Sequence, residues 1–368
     1  MNTPKTDKGY PLATIPGYYA SRPGIQIGTK LAANASDEDI QFVKQLGVEW
    51  VMTGLGAPDV RVAGITPKTD HDGPDAPEVH TVENYVALRE KFEAHGFKIY
   101  RLANHSCHNV PEITLNLPGR DEKIAEYLQY IRTLGAAGIH YSTYAHMATG
   151  IWSSGREEIR GGAMARAFHI DDPNRAGRWA GQLFHEPLAH GREYTEQELW
   201  DNYEYFIRQV VPVAEKAGVY IGIHPDDPPV YPLAGVPRCI FGTFEGYRQA
   251  IEIADSPNVG MCLCAGCWLE GGAAMGADVL ETIKYFGERK KLFKVHFRNV
   301  TAPMPEGFVE TYMDAGYFDM YKIVQALHEV GFDGAIMSDH LPQMVGGARA
   351  AEAYGIAYMK AWVHAVQS

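Results

Sequence analysis

The stretch Tyr220-Ile221-Gly222-Ile223-His224-Pro225-Asp226-Asp227 contains the local pattern that decides the fold. A short apolar run, of the length of a buried strand, ends in an imidazole and then in a polar, proline-containing loop. Three later apolar runs end in Cys264, His296 and Asp339, at successive intervals of 40, 32 and 43 residues from His224. Each interval is close to one strand plus one helix, which indicates repeated strand–helix units with metal-ligand residue types at the strand ends.

Strand-like runs alternate with helical segments along the rest of the chain. Several helical segments end near a glycine, as at Gly96, Gly135 and Gly218, and glycine is the commonest residue at a helix end. Eight alternations without a break in composition predict an α/β fold, a (β/α)8 TIM barrel, in preference to a doubly wound sheet. We expect one domain over residues 1–368, with strands at 24–28, 50–52, 98–101, 140–142, 220–223, 259–263, 292–295 and 335–338.

Two connections are too long to be plain turns: residues 145–195 after the fourth strand and residues 300–318 after the seventh. Loops that follow barrel strands lie over the active face. We therefore expect residues 145–195 to form an insertion above that face, and both segments to act as lid or specificity elements.

Composition restricts the class of partner. The chain has 368 residues, 46% hydrophobic, which permits one large core, and its net charge of −12 and pI near 5.7 oppose nucleic acid or an anionic membrane as partner. Five unevenly spaced cysteines do not resemble a disulfide framework. Residues 1–9 lack the apolar core of a signal peptide, and no later segment offers about 18 unbroken apolar residues, so we predict a cytoplasmic protein with a small-molecule ligand.

Two imidazoles, a thiolate and a carboxylate suit a divalent transition ion. Mn²⁺, Fe²⁺, Co²⁺ and Zn²⁺ accept imidazole and carboxylate, and a thiolate disfavours Mg²⁺ and Ca²⁺. Alternatives remain open: a proline-stiffened turn for His224, a hydrogen-bonded core residue for His296 and a helix N-cap for Asp339. The run Cys262, Cys264 and Cys267 could instead form a zinc-ribbon or redox site, but no second cysteine pair is present to complete it, so Cys264 is taken as the ligand and the other two as small apolar filler. Other polar residues of the predicted active face, each alternatively a surface or loop residue, are Arg101, Tyr144, His146, Arg166, His169 and Arg298.

Several separated motifs resemble the mannonate dehydratase family, and the resemblance extends over most of the chain. They are Leu117-Pro118-Gly119-Arg120-Asp121, His224-Pro225-Asp226-Asp227-Pro228-Pro229, the segment from Gly260 to Gly266, Val295-His296-Phe297-Arg298-Asn299, Phe318-Asp319-Met320 and Gly331-Phe332-Asp333-Gly334 before Asp339-His340. The resemblance implies a xylose isomerase-like barrel that dehydrates D-mannonate to 2-keto-3-deoxygluconate with Mn²⁺ or a related ion. It also implies that His224, Cys264, His296 and Asp339 are the metal ligands.

The chain departs from the family pattern at two positions on the predicted substrate face. It has Asp339-His340-Leu341-Pro342 where Asp-His-Gly-Arg is typical, and Phe308-Val309-Glu310 where Phe-His-Glu is expected. The chain thus lacks a histidine, which is an acid/base residue type, and an arginine, which is a carboxylate-binding type.

These features predict a lyase in which an ion chelates the carboxylate and neighbouring hydroxyl of a sugar acid and acidifies the adjacent proton. The candidates for the acid and base are His340, Asp226, Asp227 and Tyr144, and Arg298 is predicted to orient the substrate carboxylate. The alternatives are a metal-dependent sugar isomerase or epimerase and a noncatalytic metal-dependent sugar-binding protein. We also expect a homo-oligomer that pairs through the long loops.

Overall fold

The computed structural model describes residue 12 and residues 22–55 and 79–368. Residues 1–9, used above to argue against a signal peptide, lie outside this part, and the single domain over residues 1–368 stays a prediction. The eight central strands are β1 (Gln26–Lys30), β2 (Trp50–Gly54), β3 (Lys98–Ala103), β4 (Tyr141–Ala145), β5 (Tyr220–His224), β6 (Val259–Cys264), β7 (Leu292–Phe297) and β8 (Ala335–Ser338).

These strands form one parallel sheet in the order β3-β2-β1-β8-β7-β6-β5-β4, and its two end strands contact each other, so the sheet is a nearly closed barrel. The predicted (β/α)8 fold is confirmed. The helices that alternate with the strands are α1 (Asp37–Gln45), α2 (Val82–Ala94), α3 (Arg120–Ala136), α4 (Glu196–Ala217), α5 (Phe244–Ala254), α6 (Val279–Glu288), α7 (Met320–Glu329) and α8 (Gly347–Gln367). Shorter helices span His105–Cys107, Pro111–Thr114, Arg160–Gly162, Ala265–Gly271 and Gly272–Met275.

Local sequence sets where the helices begin. Ser36, Thr195 and Asp278 are N-caps whose side chains accept a hydrogen bond from the backbone N–H three residues on. The acidic side chain at that third position in turn accepts a hydrogen bond from the backbone N–H of the cap. The long helix α4 ends at Gly218, which has a φ of 64°, a conformation that favours glycine. These helices pack their apolar faces on the outside of the barrel.

Strand register brings the predicted ligands together. Cys264 of β6 pairs with His296 of β7, and His296 pairs in turn with Met337, two residues before Asp339. Because side chains alternate along a strand, Lys294 and His296 face the same side of β7 at successive depths. The carboxyl ends of β5, β6, β7 and β8 therefore meet at one end of the barrel.

The two long connections form a common structure that sequence reasoning did not foresee. Residues 145–195 contain the strands Ile151–Ser153, Gly155–Ile159, Ala163–Phe168, Ala176–Trp179 and Gln182–Phe184. Strand Ala163–Phe168 pairs antiparallel with Phe308–Thr311 of the second connection, with Phe168 opposite Phe308. With Gly155–Ile159 and Asn299–Val300 these two strands make a four-stranded sheet, the lid sheet.

The remaining strands are a hairpin of Val230–Leu233 and Val236–Arg238. All five cysteines are free thiols. Among the described helices, none is both long and apolar enough to cross a membrane.

Candidate metal centre and its cavity

His224, Cys264, His296 and Asp339 converge as the sequence predicted. Each offers one ligand atom, and these four atoms all lie within 4.8 Å of one another. His224 Nε2 is 3.1 Å from His296 Nδ1, which is 3.4 Å from Asp339 Oδ1, and Cys264 Sγ is 3.6 Å from Asp339 Oδ2. No helix begins at Asp339, so the alternative of a helix N-cap is wrong.

The ring orientations expose nitrogen lone pairs to this group. His224 Nδ1 lies 2.7 Å from the carbonyl oxygen of Pro225, which only accepts, so Nδ1 carries the proton and Nε2 faces His296 with its lone pair. Burial, together with Lys294, lowers the pKa of His296 to about 3, so this ring is neutral. Burial opposes protonation of His224 too, but Cys264 and Asp339 outweigh it and raise its pKa. His296 Nδ1 can donate to His224 Nε2 across 3.1 Å, and a cation bound between the two rings would take the place of that shared proton.

The other two side chains of the group, Cys264 and Asp339, have surroundings that favour their anionic forms. Burial raises the pKa of the Cys264 thiol, but the Cys267 side chain and the Arg298 guanidinium outweigh it and hold the pKa well below its ordinary value. Burial opposes ionisation of Asp339 too, but His340, His296 and Arg298 hold the pKa of that carboxyl well below its usual range. Two imidazoles, a thiolate and a carboxylate fit a divalent transition ion in charge and in donor type.

A second group of ligand-type side chains, Asp227, Cys267 and Glu270, lies beside the first. Two guanidinium groups occupy it. Arg166 Nη2 lies 2.7 Å from Asp227 Oδ1 and 2.8 Å from Glu270 Oε1, and Arg298 contacts both carboxylates as well. These cations already balance the acidic side chains, so we assign no ion to the second group.

A cavity of about 870 Å³, counting space open to solvent, adjoins the first group. Its described lining residues are Lys30, Met52, Thr53, Arg101, Ala103, His105, His108, Met147, Ile151, Trp179, His224, Asp227, Lys294, His296, Met337, Asp339 and His340.

Three of the predicted polar residues line this cavity: His340, Asp227 and Arg101. His340 Nδ1 lies 2.7 Å from Glu310 Oε1, which fixes the ring, and His340 Nε2 is 3.9 Å from Asp339 Oδ1. Burial lowers the pKa of His340, but Asp339 and Glu310 outweigh it and raise the pKa to about 9. Both carboxylate oxygens of Asp227 contact a guanidinium, of Arg166 and of Arg298, so this carboxylate is not placed to act as the base.

Arg298 does not fit the predicted role of a substrate carboxylate ligand. Its side chain is 0% exposed, it does not line the cavity, and its nitrogens contact Asp227, Glu270, Glu310 and Asp339. A Cβ at Gly266 would lie 2.5 Å from the Arg298 guanidinium, so the glycine of the short helix after β6 makes room for it. Arg298 holds the acidic side chains in place.

Tyr144 and Asp226 also lie away from the cavity lining. The Tyr144 hydroxyl is 2.8 Å from His146 Nδ1, inside an aromatic cluster, and burial raises the pKa of that hydroxyl strongly. Asp226 is buried 4.0 Å from Arg238 Nη1, and burial raises its pKa to about 6. Neither side chain is placed to exchange a proton with a ligand in the cavity.

Arg166 and His169 were predicted to offer positive charge, but neither lines the cavity. Arg166 contacts Asp227 and Glu270 of the second group, and His169 contacts Glu157 in the lid sheet. Sequence reasoning missed Lys30, Lys294, His105 and His108, which line the cavity. The signal for Lys294 was available, because it precedes His296 by two residues on a strand.

Solved structures of the same architecture define the class of protein. A xylose isomerase domain protein from Planctomyces limnophilus has a TM-score of 0.57 at 13% identity and covers 94% of this chain and 99% of that one. An L-ribulose 3-epimerase has a TM-score of 0.56 at 12% identity, with 93% and 96% covered. At these identities the likeness is one of fold alone, and the chain is a xylose isomerase-like barrel with a cluster of metal-ligand side chains.

Within this class the chain belongs to the D-mannonate dehydratase family of metal-dependent hydro-lyases, whose family model (UxuA) matches residues 39–367. Mannonate dehydratase 2 of Halalkalibacterium halodurans is 28% identical over 335 residues, 86% of this chain and 90% of that protein. Mannonate dehydratase of Streptococcus uberis is 32% identical over 296 residues, with 76% and 83% covered. The crystal structure of mannonate dehydratase from Streptococcus suis has a TM-score of 0.72 at 26% identity, with 93% and 95% covered.

The two departures from the family pattern do not contribute to the described cavity lining. Val309 lies in the lid sheet opposite Ala167, and its backbone exchanges hydrogen bonds with Thr301. Leu341 packs near Gly355 of α8. Glu310, next to Val309, reaches the site through its contact with His340.

Proposed function

We propose that this chain removes water from a six-carbon sugar acid, with D-mannonate as the substrate and 2-keto-3-deoxygluconate as the product. The observation that carries the proposal is the convergence of four ligand atoms within 4.8 Å at the edge of a cation-rich cavity, in a chain of this family. His224, Cys264, His296 and Asp339 would hold the ion. The chemistry that a divalent ion supplies is polarisation of the oxygens beside the carbon that loses its proton.

The elimination moves one proton off C2 of the acid and one onto the hydroxyl at C3. His108, which lines the cavity, would accept the first: its Nδ1 lies 2.8 Å from the carbonyl oxygen of Thr143, which favours the tautomer with a lone pair on Nε2. Burial and Arg101 hold the pKa of His108 well below its ordinary value, so the ring is neutral and able to accept a proton, although it is a weak base. His340 is suited to donate the second, because Glu310 holds its Nδ1 and leaves Nε2 for the ligand. The C3–O bond then breaks, water leaves, and the enol becomes the 2-keto acid.

The proposal is tested by incubating the purified chain with Mn²⁺ and a panel of aldonates and neutral ketoses, and measuring 2-keto acid formation. We expect a 2-keto acid from D-mannonate and no interconversion of ketoses. An isomerase or epimerase would instead exchange solvent deuterium into a ketose without forming a 2-keto acid. Binding without exchange or turnover across the panel would favour a noncatalytic sugar-binding protein.

Replacing His340 with asparagine is expected to lower kcat about 10²-fold, the order of magnitude that a positioned proton donor contributes. Asparagine can still contact Glu310, and the four metal ligands are unchanged, so Mn²⁺ affinity should remain within about twofold of wild type. The measurements are steady-state kinetics and calorimetric Mn²⁺ titration. His328→Asn, on the exposed side of α7, is the matched control, and unchanged kcat in His340→Asn would remove His340 from the mechanism.

Three finer assignments belong to the same proposal. Manganese is our choice of ion, from the family resemblance and the donor set. Cytoplasmic location is supported by five free thiols. Pairing of two copies through the insertion at residues 145–195 is the third assignment, and the exposed apolar side chains Leu183 and Leu188 of that insertion are candidates for the contact.

A further inference from the structure

The cavity is lined by positively charged side chains that are not among the four candidate metal ligands. Lys30 of β1, Arg101 of β3 and Lys294 of β7 all line it. Lys294 is 1% exposed, and no hydrogen bond or ion pair to its amine is found among residues 22–55 and 79–368. Cys262 and Asp339 attract this group from a distance, but burial, Arg101 and Lys30 outweigh them and lower its pKa to about 8. Arg101 Nε is also buried without a hydrogen-bond partner there.

This arrangement is unfavourable in the absence of an anion. A buried ammonium without a hydrogen-bonded partner loses its hydration with little compensation, and the neighbouring cations Arg101 and Lys30 disfavour its charged form further. The acidic side chains of the lining are engaged elsewhere, since Asp227 contacts Arg166 and Arg298 while Asp339 contacts His296 and Arg298. A ligand anion is therefore the group that can balance Lys294 and Arg101.

We propose that Lys294 and Arg101 form an anion-binding subsite at the cavity floor, which holds the carboxylate of the sugar acid. The guanidinium provides a planar set of donors and the ammonium a point charge, a combination that suits a carboxylate. Lys294 lies on the same face of β7 as His296, two residues deeper in the barrel. The subsite would thus fix the acid end of the ligand beneath the metal group and present the adjacent carbons to it.

The naming of a sugar acid rests on the proposed function, whereas the subsite itself requires only an anionic ligand. The experiment uses two probes that cannot be dehydrated: the 3-deoxy analogue of D-mannonate, which has no leaving hydroxyl, and its uncharged amide. Binding of each to the Mn²⁺-loaded chain is measured by calorimetry for wild type and Lys294→Met. Lys284→Met, an exposed lysine on α6, is the control for loss of one positive charge.

We expect wild type to bind the acid at least about tenfold more tightly than the amide, because only the acid brings a negative charge to Lys294 and Arg101. A tenfold difference in affinity corresponds to about 1.4 kcal/mol. Lys294→Met should lose that preference and keep its affinity for the amide, and its melting temperature should rise, because an unpaired buried charge is gone. Lys294→Gln provides a second variant if the methionine variant does not fold.

Equal affinity of Lys294→Met and wild type for the acid would overturn the subsite, and so would an equal loss of affinity for acid and amide. If wild type forms no 2-keto acid from D-mannonate but Lys294→Met still loses its preference for the acid probe, the dehydratase proposal fails and the subsite stands.

Discussion

Replacing His296 with alanine is expected to lower the dehydration rate at least about 10³-fold, because polarisation by the ion is worth several kcal/mol of transition-state stabilisation. His296 Nδ1 lies between His224 Nε2, at 3.1 Å, and Asp339 Oδ1, at 3.4 Å. Its removal would leave three of the four proposed ligands. Replacing even a group that orients a ligand typically costs about 10–100-fold in metal affinity, so loss of a ligand itself should lower metal affinity by at least about 10²-fold.

Two measurements check this prediction. Metal content per chain after dialysis should drop from one towards zero, and activity should return partly when excess Mn²⁺ is added, as expected for weakened binding. His364→Ala, on the exposed side of α8, should behave as wild type in both. A His296→Ala chain that keeps one tightly bound ion and its full rate would show that His296 is not a ligand.

The barrel was predictable because its signals are local. Each strand is a short run of mostly apolar residues, and six of the eight barrel helices have a side-chain N-cap. Residues at the ends of parallel strands meet at one face whatever the loops do. For that reason His224, Cys264, His296 and Asp339 could be selected before any coordinates were known, and the structure brings them within 4.8 Å of one another.

The roles of individual polar residues were less predictable, because they depend on contacts between distant segments. Arg298 comes two residues after His296, just beyond the end of β7, and its sequence position suggested a residue that binds the substrate carboxylate. Its partners Glu270 and Glu310, from the short helix after β6 and from the lid sheet, cover it completely. No local pattern shows that the strand at 163–168 pairs with the strand at 308–311, which is how Glu310 reaches the site.

Tyr144 illustrates the same difficulty at the end of β4. Its position just after the predicted fourth strand suggested an active-site hydroxyl, yet the ring packs against Phe206 of α4 and Tyr127 of α3. Alternation along a strand predicts which residues share a side of the sheet. It does not predict that α3 and α4 pack against the side of β4 that carries Tyr144 and cover it.

Replacing Arg298 with methionine is expected to destabilise the protein by about 3–5 kcal/mol, the usual effect of removing one partner from a buried ionic network. Its guanidinium lies 3.0 Å from Glu310 Oε1, 3.1 Å from Asp227 Oδ2 and 3.2 Å from Asp339 Oδ2, and it contacts Glu270 as well. Arg166 alone would then face Asp227, Glu270 and Glu310. The measurement is the free energy of unfolding from urea titration of the metal-free chain, with Arg289→Met, on the exposed surface after α6, as the control.

A double-mutant cycle identifies the cause of that loss. Glu310 Oε1 lies 3.0 Å from Arg298 Nη1, and although burial opposes its ionisation, His340, Arg166 and Arg298 hold the pKa of this carboxyl well below its usual range, so it is a charge that Arg298 compensates. Glu310→Gln removes this charge, and the two substitutions together should therefore destabilise less than their sum by at least about 1 kcal/mol, within the range found for contacting residues. Additive effects would mean that Arg298 acts through packing alone, and its assigned role in holding the acidic side chains beside Cys264 and Asp339 would be wrong.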